Sequence, residues 1–246
     1  MPWFRYVDFP RYVAVAERRA LAAQQAKKLE KSGRELTPLR LSGRKIAESF
    51  WGKAWCKNLE AYSDFANRLP RGRTYLRNGS VVDLRIGKGR VDALVAGGSL
   101  YEVTVTIEEL PRRRWNGLVA QCKGQIDSVV SLLRGELPEP LLAAVVDPRS
   151  GLFPAPEQMR FRCSCPDDAL LCKHIAAVLY GVGARFDQNP ETFFTLRSVQ
   201  LEQLVARSAA SVAARRPVAR KGAASIEKLF GIELDRAPRR PRKTAK

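Results

Sequence analysis

The chain is poor in histidine and in acidic residues, and both shortages restrict what it can do. Its 246 residues include one histidine, and 25 Asp and Glu stand against 43 Lys and Arg. A single histidine excludes the His-Glu-x-x-His pattern of zinc proteases. A Gly-x-x-x-x-Gly-Lys-Ser/Thr motif is also missing, which excludes an autonomous P-loop ATPase.

Long apolar runs are missing as well. No segment is long and apolar enough to span a bilayer, and the first residues lack the apolar stretch of a signal peptide. We therefore expect a cytoplasmic protein with no membrane partner. Cysteines stay reduced in that compartment, so the five cysteines of the chain favour metal binding over disulfides.

What the chain has in excess is positive charge. The formal net charge is +18 and the sequence pI is near 10.2. A polyanion partner is the simplest reason to keep such a surface. We therefore expect the chain to bind nucleic acid rather than a membrane.

One stretch of the chain, residues 163–174, holds three of the five cysteines and the only histidine. Its spacing is Cys-x-Cys, six residues, then Cys-x-His, and the candidate ligands are Cys163, Cys165, Cys172 and His174. Thiolates and an imidazole suit Zn²⁺, and four of them complete a tetrahedron with no position left for water or substrate. The pattern predicts a structural zinc site. The alternatives are structural cysteines beside an unrelated histidine, or a redox pair, which the Cys-x-Cys spacing disfavours.

The residues around the motif predict a strand, a turn, a loop and a helix. Residues 158–162 alternate polar and apolar side chains, as a strand does. Residues two apart in a helix project to different sides. We therefore expect Cys172 just before a helix and His174 in its first turn, with 175–180 as the helix body. Arg160, Arg162 and Lys173 either offset the negative charge of a three-thiolate zinc site or form a solvated face.

The motif resembles the SWIM-type zinc finger, whose pattern is Cys-x-Cys, a variable gap and Cys-x-His. The segments Phe-Trp-Gly-Lys-Ala-Trp at 50–55, Arg-Leu-Pro-Arg-Gly-Arg at 68–73 and Asn-Gly-Ser-Val-Val-Asp at 78–83 also resemble the N-terminal region of prokaryotic SWIM zinc finger proteins. Members of that family are often associated with Swi/Snf-type helicase-like ATPases, and the SWIM module is regarded as a DNA- or protein-binding unit. The resemblance implies a bacterial, nucleoid-associated protein with such an ATPase as partner.

The hydrophobic pattern predicts an α+β fold with an antiparallel four-stranded meander, a long helix, a helical region, a zinc-clipped finger and a basic tail. The long helix is expected from about residue 44 to 69. The strands are expected at 73–77, 81–86, 90–95 and 100–107, with Asn78-Gly79 as a hairpin turn. Trp51, Trp55, Cys56 and Cys122 fall in helical patterns and are expected in the core.

Five units are expected along the chain. They are a basic arm and helix (1–34), an α+β domain (35–110), a helical region (111–150), the zinc finger (151–188), and helical fragments followed by a basic tail (189–246). The helix at 13–31 either contacts nucleic acid or lies on the main body. The tail has twelve Lys and Arg against three Asp and Glu from residue 207 onward and is expected to be flexible. Its apolar segment 226–234 either docks on a partner or folds onto the body.

Ten basic residues are candidate nucleic-acid contacts: Arg112, Arg113, Arg114, Arg160, Arg162, Lys173, Arg239, Arg240, Arg242 and Lys243. Trp115 follows the first three as a candidate stacking ring, and the alternative is that this run is an exposed loop. Together with the resemblance, these residues lead us to expect a zinc-stabilised nucleic-acid-binding adaptor that acts with a helicase-like ATPase, with DNA favoured over RNA. The rival hypothesis is a protein-interaction module that docks through the finger and the segment 226–234. An enzyme is not expected, because no nucleophile elbow or open metal site is present. The oligomeric state is left open.

Overall fold

The computed structural model describes residues 14–41, 43–62, 68–122, 125–126, 128–167 and 169–204. The predicted tail, with the segment 226–234, lies outside the described residues. The same holds for four of the candidate contacts, Arg239, Arg240, Arg242 and Lys243.

One antiparallel sheet forms the framework of the described chain. Its strands are β1 (Val81–Gly87), β2 (Arg90–Ala96), β3 (Leu100–Ile107) and β4 (Met159–Cys163). They lie side by side in that order, so the predicted α+β fold with four antiparallel strands is confirmed. β4 belongs to the metal-binding motif and pairs with β3, with Cys163 opposite Val103. The finger is therefore part of the main sheet.

The predicted strand at 73–77 is wrong, because that segment is helical. Helix α3 (Leu69–Arg77) has Pro70 in its first turn, a position where proline suits a helix. Gly79 has a φ of 71°, its N–H donates to the carbonyl of Leu76, and the next N–H donates to the carbonyl of Tyr75. This pair of hydrogen bonds is the Schellman ending of a helix. The Asn-Gly pair thus ends a helix, although the same pair is also typical of hairpins.

Seven other helices lie in the part of the chain that the structure describes. They are α1 (Val15–Lys31), α2 (Phe50–Glu60), α4 (Arg112–Gln121), α5 (Val129–Arg134), α6 (Glu139–Val146), α7 (Lys173–Gln188) and α8 (Glu191–Leu196). The single long helix predicted at 44–69 is wrong, since α2 ends at Glu60 and α3 begins at Leu69. Of these helices, none has the length and apolar character needed to cross a bilayer.

Helix α7 lies at the centre of the packing, because two helices of the core and the whole sheet meet it. It contacts α2, α3 and all four strands. Small residues allow the close crossings: a Cβ on Gly72 of α3 would lie 2.5 Å from the Cβ of Ala176, and one on Gly52 of α2 would lie 2.6 Å from the carbonyl oxygen of Gly183. The backbones of these helices therefore touch.

The two tryptophans of α2 are core residues, as predicted. Trp51 and Trp55 are both fully buried. The indole Nε1 of Trp55 donates to the carbonyl of Leu179 on α7 at 2.8 Å, and Nε1 of Trp51 donates to the carbonyl of Leu133 at 2.9 Å. Each buried N–H thus has an acceptor, which a buried indole requires.

The N-terminal helix lies on the main body. Ala22 of α1 packs with Val82, Leu94 and Ala96, which form a small apolar cluster separate from the main core. Because the large apolar side chains of α1 are few, this contact is shallow. Of the two alternatives for this helix, the structure shows the packing on the sheet.

Candidate metal centre

The four predicted ligands converge on one point. The ligand atoms of Cys163, Cys165, Cys172 and His174 all lie within 4.8 Å of one another. β4 ends at Cys163, the chain turns through Pro166, and α7 begins at Lys173 with His174 in its first turn. The Sγ of Cys172 accepts a hydrogen bond from the backbone N–H of Ile175 at 3.5 Å. Cys172 is therefore both a ligand and the N-cap of α7, as the spacing predicted.

The size of this cluster fits zinc. A tetrahedral centre with Zn–S of about 2.3 Å and Zn–N of about 2.0–2.1 Å separates sulfur from nitrogen by about 3.6 Å. The Nδ1 atom of His174 lies 3.8 Å from the Sγ of Cys163 and 3.8 Å from the Sγ of Cys172. Nδ1 is therefore the nitrogen that would ligate the metal, and the donor set of three sulfurs and one nitrogen is one that zinc prefers.

Burial sets the protonation of the metal-free ligands. It lowers the pKa of His174 to about 4, so the imidazole is neutral, which is the form that binds metal. Burial raises the pKa of the Cys163 and Cys172 thiols. A bound Zn²⁺ would reverse that effect, because its charge stabilises thiolates. Metal binding is therefore coupled to loss of thiol protons.

Aromatic rings hold the imidazole in place. Tyr101 of β3 stacks on His174 with ring centroids 4.3 Å apart, and Tyr75 of α3 meets its edge at 5.3 Å. The second ring nitrogen, Nε2, is buried and has no hydrogen-bond partner among the described residues. Gly97 lies against it, since a Cβ there would be 3.2 Å from Nε2 and 2.9 Å from the Tyr101 ring. The sequence analysis did not identify these three neighbours of the imidazole.

Comparison with known proteins agrees with this geometry. Residues 161–182 match the SWIM zinc finger family model. The chain is also similar to an uncharacterized protein, Rv2102, of Mycobacterium tuberculosis (strain ATCC 25618 / H37Rv), at 32% identity over 169 residues. That alignment covers 68% of this chain and 61% of the mycobacterial protein, so the chain spans less than two thirds of the length of its relative. No solved structure matches the chain.

The basic residues of the SWIM finger lie in two places. Lys173 lies close to the metal centre: its Nζ is 5.6 Å from the centroid of the Tyr75 ring, and its charge contributes to lowering the pKa of His174. Arg160 and Arg162 are exposed and alternate with the inward-facing side chains of β4. An ion pair of 3.2 Å between Arg68 and Asp167, which the sequence did not reveal, ties the loop of the SWIM finger to the segment before α3.

The arginine run that precedes Trp115 forms the first turn of α4, so the alternative of an exposed loop is wrong. Arg112 and Arg113 are exposed there. Arg114 points inward and donates from Nη2 to the carbonyls of Pro148 and Gly151 at 3.2 and 3.0 Å. The prediction of Trp115 as a stacking ring is wrong, because the ring is only 5% exposed and its Nε1 donates to a glutamine side chain.

Proposed function

We propose that this chain is a zinc-stabilised nucleic-acid-binding adaptor, directed to DNA, that acts beside a helicase-like ATPase of the Swi/Snf class. The observation that carries the proposal is the formal net charge of +18 on a chain that has a SWIM finger. Phosphate contacts by Lys and Arg supply affinity that does not depend on base sequence. From the resemblance to prokaryotic SWIM proteins, we further propose that the protein acts at the nucleoid in a bacterial cytoplasm.

The role proposed for zinc is structural. Three cysteines and one histidine complete a tetrahedron, so the ion has no open position at which to activate water or substrate. Through β4 and α7, the ion would connect the edge of the sheet to the central helix of the core. We therefore propose binding without catalysis.

A salt titration tests the proposal. Fluorescence anisotropy with labelled duplex DNA and with duplex RNA of equal length measures the dissociation constant at several salt concentrations. A protein that makes six to ten phosphate contacts loses affinity by a factor of about 10³–10⁵ between about 50 and 200 mM salt. We expect such a steep loss, with tighter binding to DNA, and weaker binding after zinc is removed with a chelator. A flat salt response would refute the proposal.

The ATPase partner is proposed from the resemblance to prokaryotic SWIM proteins alone. Affinity purification from the native host tests it, with mass spectrometry to identify the bound proteins. Nuclease is present so that shared DNA does not bridge proteins. We expect recovery of a helicase-like ATPase. Its absence from the purified material would count against this part of the proposal.

A protein-interaction module remains the second candidate, and one observation favours it. Leu170, in the loop of the SWIM finger, is 75% exposed, whereas its neighbour Leu171 is buried. An exposed leucine on a metal-clipped loop is a suitable contact for an apolar pocket of a partner protein. Under this hypothesis, the Leu170→Ser variant no longer retains the partner proteins that stay bound to the wild type after nuclease treatment. Its affinity for DNA is the same as that of the wild type.

A further inference from the structure

A groove between α2 and α3 collects basic side chains that the sequence did not single out. It has a volume of about 280 Å³. Five cationic residues line it: Lys45, Lys53, Lys57, Arg73 and Arg77. We call this surface the α2–α3 groove. Among the residues that line it, Glu60 is the acidic one.

The positive charge of the groove is only partly neutralised, by the ion pairs of Lys45 with Glu48 and of Arg73 with Glu60. Lys53 and Lys57 are four residues apart on α2, so they project from the same face of the helix, where like charges repel. Both are exposed, and no described carboxylate lies within ion-pair distance of either ammonium group. Glu60 is already engaged, because Arg73 lies 3.0 Å from its carboxylate and the hydroxyl of Tyr180 donates to it at 2.9 Å.

The floor of the groove holds one arginine in a defined position. Arg73 donates from Nε to the hydroxyl of Tyr180 at 2.8 Å, and its guanidinium carbon lies 5.3 Å from the centroid of that ring. Tyr180 belongs to α7 and is fully buried, so the anchor is rigid. Arg77, four residues further along α3, is held by a hydrogen bond from its Nε to the carbonyl of Arg44 at 3.1 Å. Arginines fixed in this way lose little side-chain entropy when they bind an anion.

Basic side chains continue beyond the groove on both sides. Lys45 also lines a neighbouring cavity together with Arg40. Arg77 lines a third cavity together with Arg40 and Arg19. The first of these cavities also has Glu48 and Asp187 in its lining, but Glu48 pairs with Lys45 and Asp187 accepts a hydrogen bond from the N–H of Ser49. Basic side chains along three adjoining depressions suit a long polyanion better than a small anion.

We propose that the α2–α3 groove binds the sugar-phosphate backbone of DNA without reading its sequence, and so forms the contact surface of the adaptor. The inference rests on the proposed function, and it assigns the contact to α2 and α3 rather than to the exposed arginines of α4. The proposed contact is with the backbone and not with the bases, because the unpaired Lys53 and Lys57 are point charges suited to phosphate. Among the residues that line the groove, no aromatic ring is exposed to stack on a base.

A matched pair of variants tests the inference in the full-length zinc protein. The first variant is Lys53→Gln with Lys57→Gln. The second, as control, is Lys27→Gln with Lys31→Gln, which removes the same charge at the same spacing from exposed positions of α1. The salt dependence of binding to a short duplex of mixed sequence is measured for each by fluorescence anisotropy.

We expect the groove variant to reduce the salt slope by about two and the control to leave it unchanged, since each lost phosphate contact lowers the slope by about one. The loss should be the same for duplexes of different sequence. Equal slopes for the two variants, or a loss confined to the control, would overturn the inference and leave the proposed function standing. A wild-type protein that does not bind DNA would overturn both.

Two further measurements complete the test. If the groove variant fails to fold, acetylation of the wild-type protein with and without DNA replaces it: Lys53 and Lys57 should be protected by DNA and Lys27 and Lys31 should not. Vesicles of phosphatidylserine and phosphatidylcholine form the other arm. Loss of vesicle binding in the groove variant, with DNA binding unchanged, would overturn the inference in favour of a membrane surface.

Discussion

The Gly72→Ala variant tests the closest helix crossing in the protein. A Cβ at this position would lie 2.5 Å from the Cβ of Ala176, 2.7 Å from its carbonyl carbon and 2.8 Å from the nitrogen of Ala177. Carbon atoms in contact prefer about 3.5–4.0 Å, so α3 has to move away from α7 by about 1 Å. Two of these three atoms belong to the backbone, which cannot rotate out of the way.

The expected free-energy change follows from two opposing effects. Overpacking of this kind destabilises by about 1–3 kcal/mol, and a backbone obstacle favours the upper end of that range. Replacing a helical glycine with alanine stabilises by about 1 kcal/mol. We therefore expect Gly72→Ala to lower the free energy of unfolding by about 2 kcal/mol, or to lower Tm by about 4–8 °C, at about 2–4 °C per kcal/mol for a chain of this size.

Gly117→Ala is the matched control. Gly117 is also helical, in the middle of α4, but nothing lies within 4 Å of a Cβ built there. We expect it to gain about 1 kcal/mol, because only the helix propensity changes. Thermal unfolding followed by circular dichroism measures both variants. If Gly72→Ala melts at or above the wild-type temperature, as Gly117→Ala should, the backbone contact between α3 and α7 is refuted.

Three further outcomes are expected. Metal analysis of the wild-type protein is expected to find about one zinc per chain. Cys163→Ser should lose it, whereas Cys122→Ser, which lies outside the cluster, should retain it. Retention of zinc by both variants would contradict the site. Zinc affinity should rise with pH across the neutral range, with about three protons released per zinc. The protons come from the thiols, because His174, with a pKa of about 4, is already neutral. Calorimetry in buffers of different ionisation enthalpy counts the protons released. If zinc binding releases no protons, the assignment of the thiols as ligands is refuted. Asp187→Ala should lower the free energy of unfolding by about 1–3 kcal/mol, because the carboxylate accepts hydrogen bonds from the N–H and hydroxyl of Ser49 at the start of α2. An unchanged midpoint of unfolding in urea would show that these hydrogen bonds contribute little to stability.

The neighbours of the metal ligands illustrate what the sequence does not display. Tyr75, Gly97 and Tyr101 come from a helix, a turn and a strand that are distant from the motif along the chain, and they meet only because β4 joins β3 and α3 packs on α7. Aromatic residues at such positions look like ordinary core residues in a sequence. Their role around His174 depends on contacts between segments, which no local pattern encodes.

Errors in the predicted fold have a related origin. Pro70 and Asn78-Gly79 are compatible with both a hairpin and a short helix, and the helix forms because its small residue, Gly72, lets it lie directly on α7. In the same way, the charge of the Arg112 to Arg114 run gave no sign that its third arginine and Trp115 face inward. Packing decides such cases, since local propensity differs little between the alternatives.

The metal centre, the beginning of α7 and the positions of β2 and β3 could be predicted from the sequence, because ligand spacing, capping and side-chain periodicity are properties of a few neighbouring residues. Only the tertiary contacts settle that β4 completes the sheet, that Trp115 is buried, and that Lys53, Lys57, Arg73 and Arg77 lie around one groove. Two short helices bring those four cations together only when both pack on α7, so the surface exists only in the folded chain.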